Sequence, residues 1–366
     1  MDYSGDALRA WSYRQQMFGR GSGPGEVLAQ LVSVYSSHPT APLALLGRCP
    51  DLDADAFRAL EERREAVRIP AMRTSIFLAP TPAAAPLFSA TRIVMSKLTP
   101  RLYYAGVSWD QYTVLKDRLL EATQEPVSAG ELSAVLDTDA KVATVLRVMS
   151  YEGLILRLGT SLRSDNLRYV ATKAWLGSAF EELDQGAATQ WLAEAYLRGY
   201  GPARVEDFAW WSGVPRRRAV AALRPLATVD IGGGLLLLKD QREAFEQVEP
   251  VDPAVVDVLP KWDAYTMGYA PDGRQRLVED RYLSRAYSTA GVGGAGATSG
   301  DGLPLILRGG QAVGTWAHRL EGSRLRVTLT PFVSDPTLAA ACQAAFERIG
   351  QLLAVRAVDL TVVDPG

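Results

Sequence analysis

Residues 196–238 read YLRGYGPARVEDFAWWSGVPRRRAVAALRPLATVDIGGGLLLL, and they parse end to end as one helix-turn-helix closed by a hairpin. An apolar helix is predicted to stop at Gly199-Tyr200-Gly201-Pro202, where two glycines and a proline end it. A short helix through Val205, Phe208 and Trp211 then repeats its apolar residues at helical spacing, until Gly213 breaks the chain again. Pro215 is well placed to open a third helix whose Val220, Leu223 and Leu226 supply a buried stripe. Arg216, Arg217 and Arg218 therefore fall in its first turn. Gly232-Gly233-Gly234 joins two β-prone runs between Thr228 and Leu238 as a hairpin, or wing. A recognition helix offering its N-terminal residues to a major groove has this layout, so the three arginines are candidate DNA contacts, weighed against a solvated face.

Reading outward, Leu8 to Phe18 is predicted helical, and Pro24-Gly25 hands over to a helix through Val27, Leu28, Leu31 and Val34 that runs into Tyr35-Ser36-Ser37-His38-Pro39. Pro42 to Leu46 is a third apolar helix, and Asp53 to Arg68 a charged amphipathic one. Arg73 to Leu78 alternates like a strand, so the first unit resembles a winged helix with a shortened hairpin. An alanine- and proline-rich segment from Thr81 leads into a helix containing Arg92 and Lys97. Tyr112, Leu115 and Leu119 mark a helix from Trp109 to Thr123; Ser128 and Glu131 have capping-box spacing; Lys141 to Tyr151 is helical and Gly153 ends it. Leu154 to Val170 alternates around Ser164-Asp165-Asn166 as a second wing, with Arg163 and Arg168 flanking its tip as candidate phosphate contacts. After Val258 the texture turns to strands: LPLILR, QAVGTWAHRL and SRLRVTLTPF form a meander, followed by a helix from Asp335 to Val355 and a last strand, Asp359 to Val363.

The expected architecture is mainly α with β (α+β): tandem winged-helix motifs plus a C-terminal β-rich domain. The expected units are 1–100, 101–180, 186–245 and 246–366. No run approaches the twenty apolar residues of a membrane span, and the opening MDYSGDALRAW is too acidic for a signal peptide, so a cytoplasmic protein is expected. Cys49 and Cys342 lie far apart without CxxC spacing, and His38 and His318 are the only imidazoles; neither a disulfide framework, a metal nor any other cofactor is expected. A net charge of −2 provides no general attraction to phosphate, so any DNA affinity must be local. Lysine stands at only six positions, which leaves that work to arginine, whose planar fork grips phosphate and guanine bidentately. Gly291-Val292-Gly293-Gly294-Ala295-Gly296 fits GxGxxG by letter, but lacks a strand-to-helix context and reads as a loop.

Four stretches carry a resemblance to a known family: YSSHPTAPLALLGR (Tyr35 to Arg48), RIPAMRTSIFLAP (Arg68 to Pro80), YLRGYGPARVEDFAWWSG (Tyr196 to Gly213), and LPKWDAYTMGY (Leu259 to Tyr269) with VGTW (Val313 to Trp316). In order and spacing the chain resembles the bacterial helix-turn-helix DNA glycosylases, which include the azinomycin-resistance glycosylase and enzymes that unhook alkylated interstrand crosslinks. The resemblance implies tandem winged helices and a barrel-like domain around an arginine-lined channel for damaged double-stranded DNA. The residues themselves suggest no metal and no membrane, and with no heptads to invite a dimer a monomer is the default. Family members read Gln-x-Gln-Asp-Pro or Gln-x-Asp where this chain reads YSSHP. Alignment on Pro39 puts Tyr35 and Ser37 at the glutamine positions and His38 at the following aspartate.

A serine hydroxyl can orient water, a tyrosine hydroxyl can donate or accept one bond, and an imidazole can take a proton near neutral pH. Tyr35, Ser37 and His38 are thus the candidate catalytic set, against a bland reading as a helix-end aromatic, a local cap and a pre-proline surface residue. Arg48 and Arg73 sit in family-like motifs and either line the channel or form structural ion pairs. Trp210 and Trp211 suggest base stacking but fit a core better, and Asp263 reads as a structural carboxylate beside aromatics. The expected activity is removal of bulky or crosslinked N7-alkylpurines; a non-catalytic winged-helix DNA-binding protein is the alternative.

Overall fold

The computed structural model describes residues 5–36, 39–104, 106–136, 141–164, 166–288 and 301–364. Helix Gln185–Tyr200 starts on Asp184, whose carboxylate accepts the Ala187 N–H at 2.8 Å, and ends where Gly201-Pro202 cannot continue it. Helix Val205–Ser212 stops at Gly213, and helix Arg216–Leu223 follows from Pro215. Strands Thr228–Asp230 and Leu236–Leu238 close the hairpin across three glycines of positive φ. The long helix buries Leu192, Tyr196, Leu197 and Tyr200 against helices Pro24–Leu31, Thr81–Thr91 and Arg216–Leu223. Each such side chain contributes about 1.5–3 kcal/mol by leaving water, so this helix is the spine of the main core.

The two earlier hairpins do not stand apart. Strands Val34–Tyr35, Ile76–Pro80, Ala66–Pro70, Ile155–Gly159, Leu167–Ala171 and Val127–Ser128 line up in that order as one antiparallel sheet. The seam between its halves is the single pairing of Arg68 with Arg157. There the Arg68 guanidinium, 8% exposed, forks onto Glu61 through two bonds of 3.0 Å and donates a third, also 3.0 Å, to the Ser36 carbonyl. Burial pushes the Glu61 pKa up while Arg68 opposes it.

Several expectations change. The helix Pro24–Leu31 ends before the polar corner, because Val32 turns to φ +68° and Val34–Tyr35 pair with Leu78 and Phe77 as a strand. Tyr35 is therefore a strand residue, not a helix end. The segment Asp53 to Arg68 is split: Asp53 caps helix Ala54–Glu62, Arg64 takes a positive φ, and Ala66–Pro70 is a fully buried strand. That strand runs in register with Ile76–Pro80 over five residues, so the first hairpin is not shortened. The Ala/Pro-rich segment is itself helix Thr81–Thr91, with Pro82 in its first turn; Arg92 lies past its end and Lys97 in a separate 3-10 turn.

Ser128 and Glu131 form the expected reciprocal cap, and Val142–Tyr151 ends before Gly153. The C-terminal strands do not close into a barrel. They form an open sheet ordered Ala357–Val362, Arg324–Pro331, Gln311–Glu321, Leu305–Arg308 and Val256–Leu259, its last strand returning parallel. Helix Leu338–Leu352 lies on the sheet with Cys342, Phe346 and Ile349 buried, and Phe346 meets Trp316 edge to face at 5.1 Å. A helix that covers the apolar face removes the need for closure. No helix among the described residues is long and apolar enough to cross a membrane.

Two outcomes follow from this packing. Arg68→Met strands the Glu61 carboxylate in the seam and lowers unfolding free energy by about 3–5 kcal/mol, whereas Arg68→Met with Glu61→Leu recovers most of the loss. Denaturant titration of the three proteins checks this; a single-variant loss below about 1 kcal/mol contradicts a buried pair. Burial pushes both free thiols up, Cys49 and Cys342 each to about 11. An aromatic disulfide reagent at about pH 8 then labels neither cysteine in the native protein and both after unfolding.

Candidate functional site

The described residues that flank the YSSHP corner are held from both sides. Before it, the Ser36 N–H donates to the Ile76 carbonyl at 3.0 Å and the Ser36 carbonyl accepts from Arg68. After it, the Thr40 hydroxyl donates to the Lys261 carbonyl at 3.0 Å, tying helix Thr40–Leu46 to the turn at 260–263. Ser37 and His38 lie outside the described residues. Tyr35 lies within them, and it faces a recess of about 210 Å³.

Five aromatic side chains stand among the described residues that wall that recess. Tyr35 packs on Trp262 at 4.7 Å and edge to face on Phe77 at 5.7 Å, and Tyr200, Trp211, Ala264 and Met267 complete the apolar lining. Ser33, Ser75, Arg73 and Asp301 supply its polar groups. Trp262 takes φ +59°, a conformation rare for a bulky side chain, and its N–H donates to the Gly302 carbonyl at 3.1 Å. What holds that turn is the next residue. Asp263, with no exposed surface, receives Arg48 through bonds of 2.9 and 2.8 Å and the Tyr265 N–H at 2.8 Å.

Arg73 reaches the recess from the turn between strands Ala66–Pro70 and Ile76–Pro80, with left-handed backbone at both Arg73 and Thr74. The Thr74 carbonyl is pinned by the Tyr151 hydroxyl at 2.7 Å. The Arg73 guanidinium lies 4.2 Å from the Trp210 ring centre; that ring also meets Arg274 at 4.9 Å, and Arg274 sits 3.8 Å from the ring of Tyr287. Water reaches Arg73, yet the concave surroundings desolvate it. Desolvation and, next, the Arg274 charge push its pKa down to about 10. It remains a cation at neutral pH, held unfavourably enough to profit from an incoming anion.

The other predicted contacts divide. Arg48 is buried, with all five donors spent on Asp263, Gln16 and the Ala44 carbonyl, so it cannot reach a ligand. That removes it from the channel-lining set and resolves it as the ion pair. Arg163 donates to the Leu353 and Ala354 carbonyls, both at 2.6 Å, and so closes the end of helix Leu338–Leu352 rather than standing free at a hairpin tip. Arg168 is exposed and donates to the Pro126 carbonyl at 2.9 Å. Arg216 pairs with Glu206, and Arg218 donates to the Ala90 carbonyl at 2.9 Å. Arg217 is exposed with no hydrogen bond or ion pair among the described residues. Trp211 is core, packed on Tyr196 and Tyr200, while Trp210 is half-buried between two guanidiniums. Among the described residues no cluster of His, Cys, Asp and Glu could hold a metal.

Sequence reasoning missed Trp262, Arg274 and Asp301. Trp262 stood in a quoted motif, but its importance comes from a backbone twist that no spacing encodes. Asp301 follows a glycine- and serine-rich stretch, and nothing in its neighbours marks it as a wall residue.

A family model described as DNA glycosylase AlkZ-like matches residues 28–354. Among solved structures, the Streptomyces sahachiroi DNA glycosylase AlkZ is similar with a TM-score of 0.75 at 18% identity, covering 99% of this chain and 100% of that one. No curated protein matches the chain.

Gly213 offers a direct check of the Arg73 turn. At φ +73°, a Cβ placed there would come within 3.0 Å of Arg73 Cγ and 3.1 Å of its backbone nitrogen. Gly213→Ala is expected to cost about 1–3 kcal/mol through left-handed strain and displacement of that turn. Chemical unfolding measures it, and a change under about 0.5 kcal/mol would show that the two turns do not touch.

Proposed function

Because the chain belongs to the AlkZ-like DNA glycosylase family, we propose that it excises bulky or crosslinked N7-alkylpurines from duplex DNA, acting as a monofunctional hydrolase in self-resistance to a genotoxic natural product. One observation supports this most: Tyr35, at the place of a family glutamine, lines an aromatic recess that also carries Arg73. Aromatic faces receive a base turned out of its stack, and a guanidinium at the rim attracts the phosphate that travels with it. In this reading the three-helix segments with their hairpins act as winged helices, and Arg217, Arg168 and Arg216 meet the sugar-phosphate rails.

The chemistry asks little of an acid. An N7-alkylguanine is cationic before the protein acts, so its departure from C1′ with the bonding electrons yields a neutral base. What remains is to hold a water on the far face of the sugar and to stabilise oxocarbenium character. Ser37 holds that water, Tyr35 contacts the sugar or lesion, and His38 takes the proton that the water loses.

Purified protein incubated with duplex carrying an N7-alkylguanine is expected to release the base and leave an abasic site that alkali cleaves. Ser37→Ala and His38→Ala are expected to slow release on the order of 10²-fold with duplex affinity kept, and Tyr35→Phe to slow it less. Three variants with wild-type rates would remove the corner from the mechanism. Duplex that shifts in a gel without base release from any adduct favours a non-catalytic reader.

A further inference from the structure

The recess contains one anion that the family resemblance does not assign. Asp301 lines it with Tyr35 and Trp262, and close enough to Arg73 and Arg274 that both guanidiniums feel its charge. Among the described residues nothing bonds to its carboxylate: no hydrogen bond or ion pair reaches it, although two arginines are near. A carboxylate that served only to neutralise Arg73 would be expected to close on it, as Asp263 closes on Arg48.

The backbone that carries Asp301 is held in place. Ser288 pairs with Asp301 and Tyr287 with Gly302 in a short antiparallel ladder. The Gly302 carbonyl accepts the Trp262 N–H, its N–H donates to Met267 Sδ at 3.2 Å, and the Leu303 N–H donates to the Ala286 carbonyl at 3.0 Å. A Cβ on Gly302 would sit 2.7 Å from Thr266 Oγ1, so the strand lies flush on the 260–267 turn. Asp301 therefore shares a mount with Trp262, and both depend on the Asp263 turn beneath them.

We propose that Asp301 is a further catalytic residue, the anion that faces the deoxyribose and stabilises positive charge as it develops there. The proposal rests on the glycosylase reading given above. As the C1′–N9 bond breaks, its electron pair passes to the cationic N7-alkylpurine, which leaves neutral, and positive charge moves onto C1′ and O4′ of the sugar. A fixed carboxylate at that place favours the transition state over the ground state, where the charge still lies on the base. Water then bonds to C1′, and its proton passes to the base assigned above. Asp301 forms and breaks no bond in either step. It supplies field, which the uncharged side chains of Tyr35 and Ser37 cannot.

The test separates binding from chemistry in single-turnover excision of an N7-alkylguanine from duplex DNA. Asp301→Asn keeps shape and removes charge. The expected result is excision slowed on the order of 10²-fold, melting temperature unchanged, and duplex affinity equal to wild type or a few-fold tighter, since an anion near phosphate has gone. Asp301→Glu restores the charge and is expected to recover part of the rate. Asp301→Asn that excises as fast as wild type overturns the proposal, as does a folded Asp301→Glu that is as slow as Asp301→Asn. Wild-type protein that binds but releases no base from any adduct overturns the glycosylase reading itself, a result visible before any variant is made.

Discussion

The Arg48–Asp263 ion pair is the constraint on which the site depends. Both side chains are fully out of water, a transfer that costs several kcal/mol per ion before the partners attract one another. The guanidinium recovers that cost by filling every donor position, and the ring of Phe18 lies 4.4 Å from it. Hydrophobic residues of similar volume could offer comparable stability, so what the pair contributes is register. It links the end of the first helix through Gln16, the helix Thr40–Leu46 through Ala44, and the turn at 260–265 through Asp263. Trp262 can hold a left-handed backbone because its neighbour is locked on both carboxylate oxygens. Thr40, bonded to Lys261, brings the chain after the polar corner to the same turn.

Arginine is used here mainly to build. A guanidinium presents a planar fork of donors to carbonyls or carboxylates at fixed angles, which a lysine ammonium cannot do. Arg48, Arg68, Arg163 and Arg285 each tie elements distant in sequence, Arg285 by donating to the Pro331 and Phe332 carbonyls. The charge of the 39 Arg and Lys residues is offset by 41 Asp and Glu, which leaves the chain at a net charge of −2. Two candidates for a ligand stand out: exposed Arg217 on the third helix, and Arg73 in its recess. Binding built from a few placed cations depends on geometry more than on bulk charge, so the rigidity of the two turns around Arg73 matters as much as its charge.

The stretch from Tyr196 to Leu238 was legible because each boundary is written in residue type: Gly201-Pro202, Gly213, Pro215 and the triple glycine all force the backbone locally. The meander after Val258 was legible for the same reason. Legibility failed where tertiary pairing overruled local pattern. Val34 and Tyr35 continue a helical stripe by spacing, but Leu78 and Phe77 offer a strand edge, and the ladder wins. Glu61 and Arg68 look like two charges on one exposed helix; the chain instead breaks at Arg64 so that they meet in a sheet seam. A barrel-like domain was expected from the family resemblance, and the covering helix that makes an open sheet sufficient gave no sign of which face it would take. At the site, Tyr35 and Arg73 were found by motif, whereas Trp262 and Asp301 depend on a backbone twist and a strand register.

The recess places its groups by what charge would do there. Arg73 lines it in reach of water, and buried Arg274 meets the same Trp210 ring, both with pKa values depressed first by burial. A substrate that brings its own phosphates presents anions to Arg73, while the sugar of that nucleotide carries positive character only at the moment of bond cleavage. One carboxylate beside two guanidiniums therefore has opposite effects on the two stages. It opposes phosphate entry slightly and favours cleavage more, because the developing charge lies on the sugar and the aromatic walls thin out the water that would screen it. A site with a second cation in place of Asp301 would hold DNA more firmly and cut the glycosidic bond less well, and differential stabilisation of that kind distinguishes a catalyst from a binder.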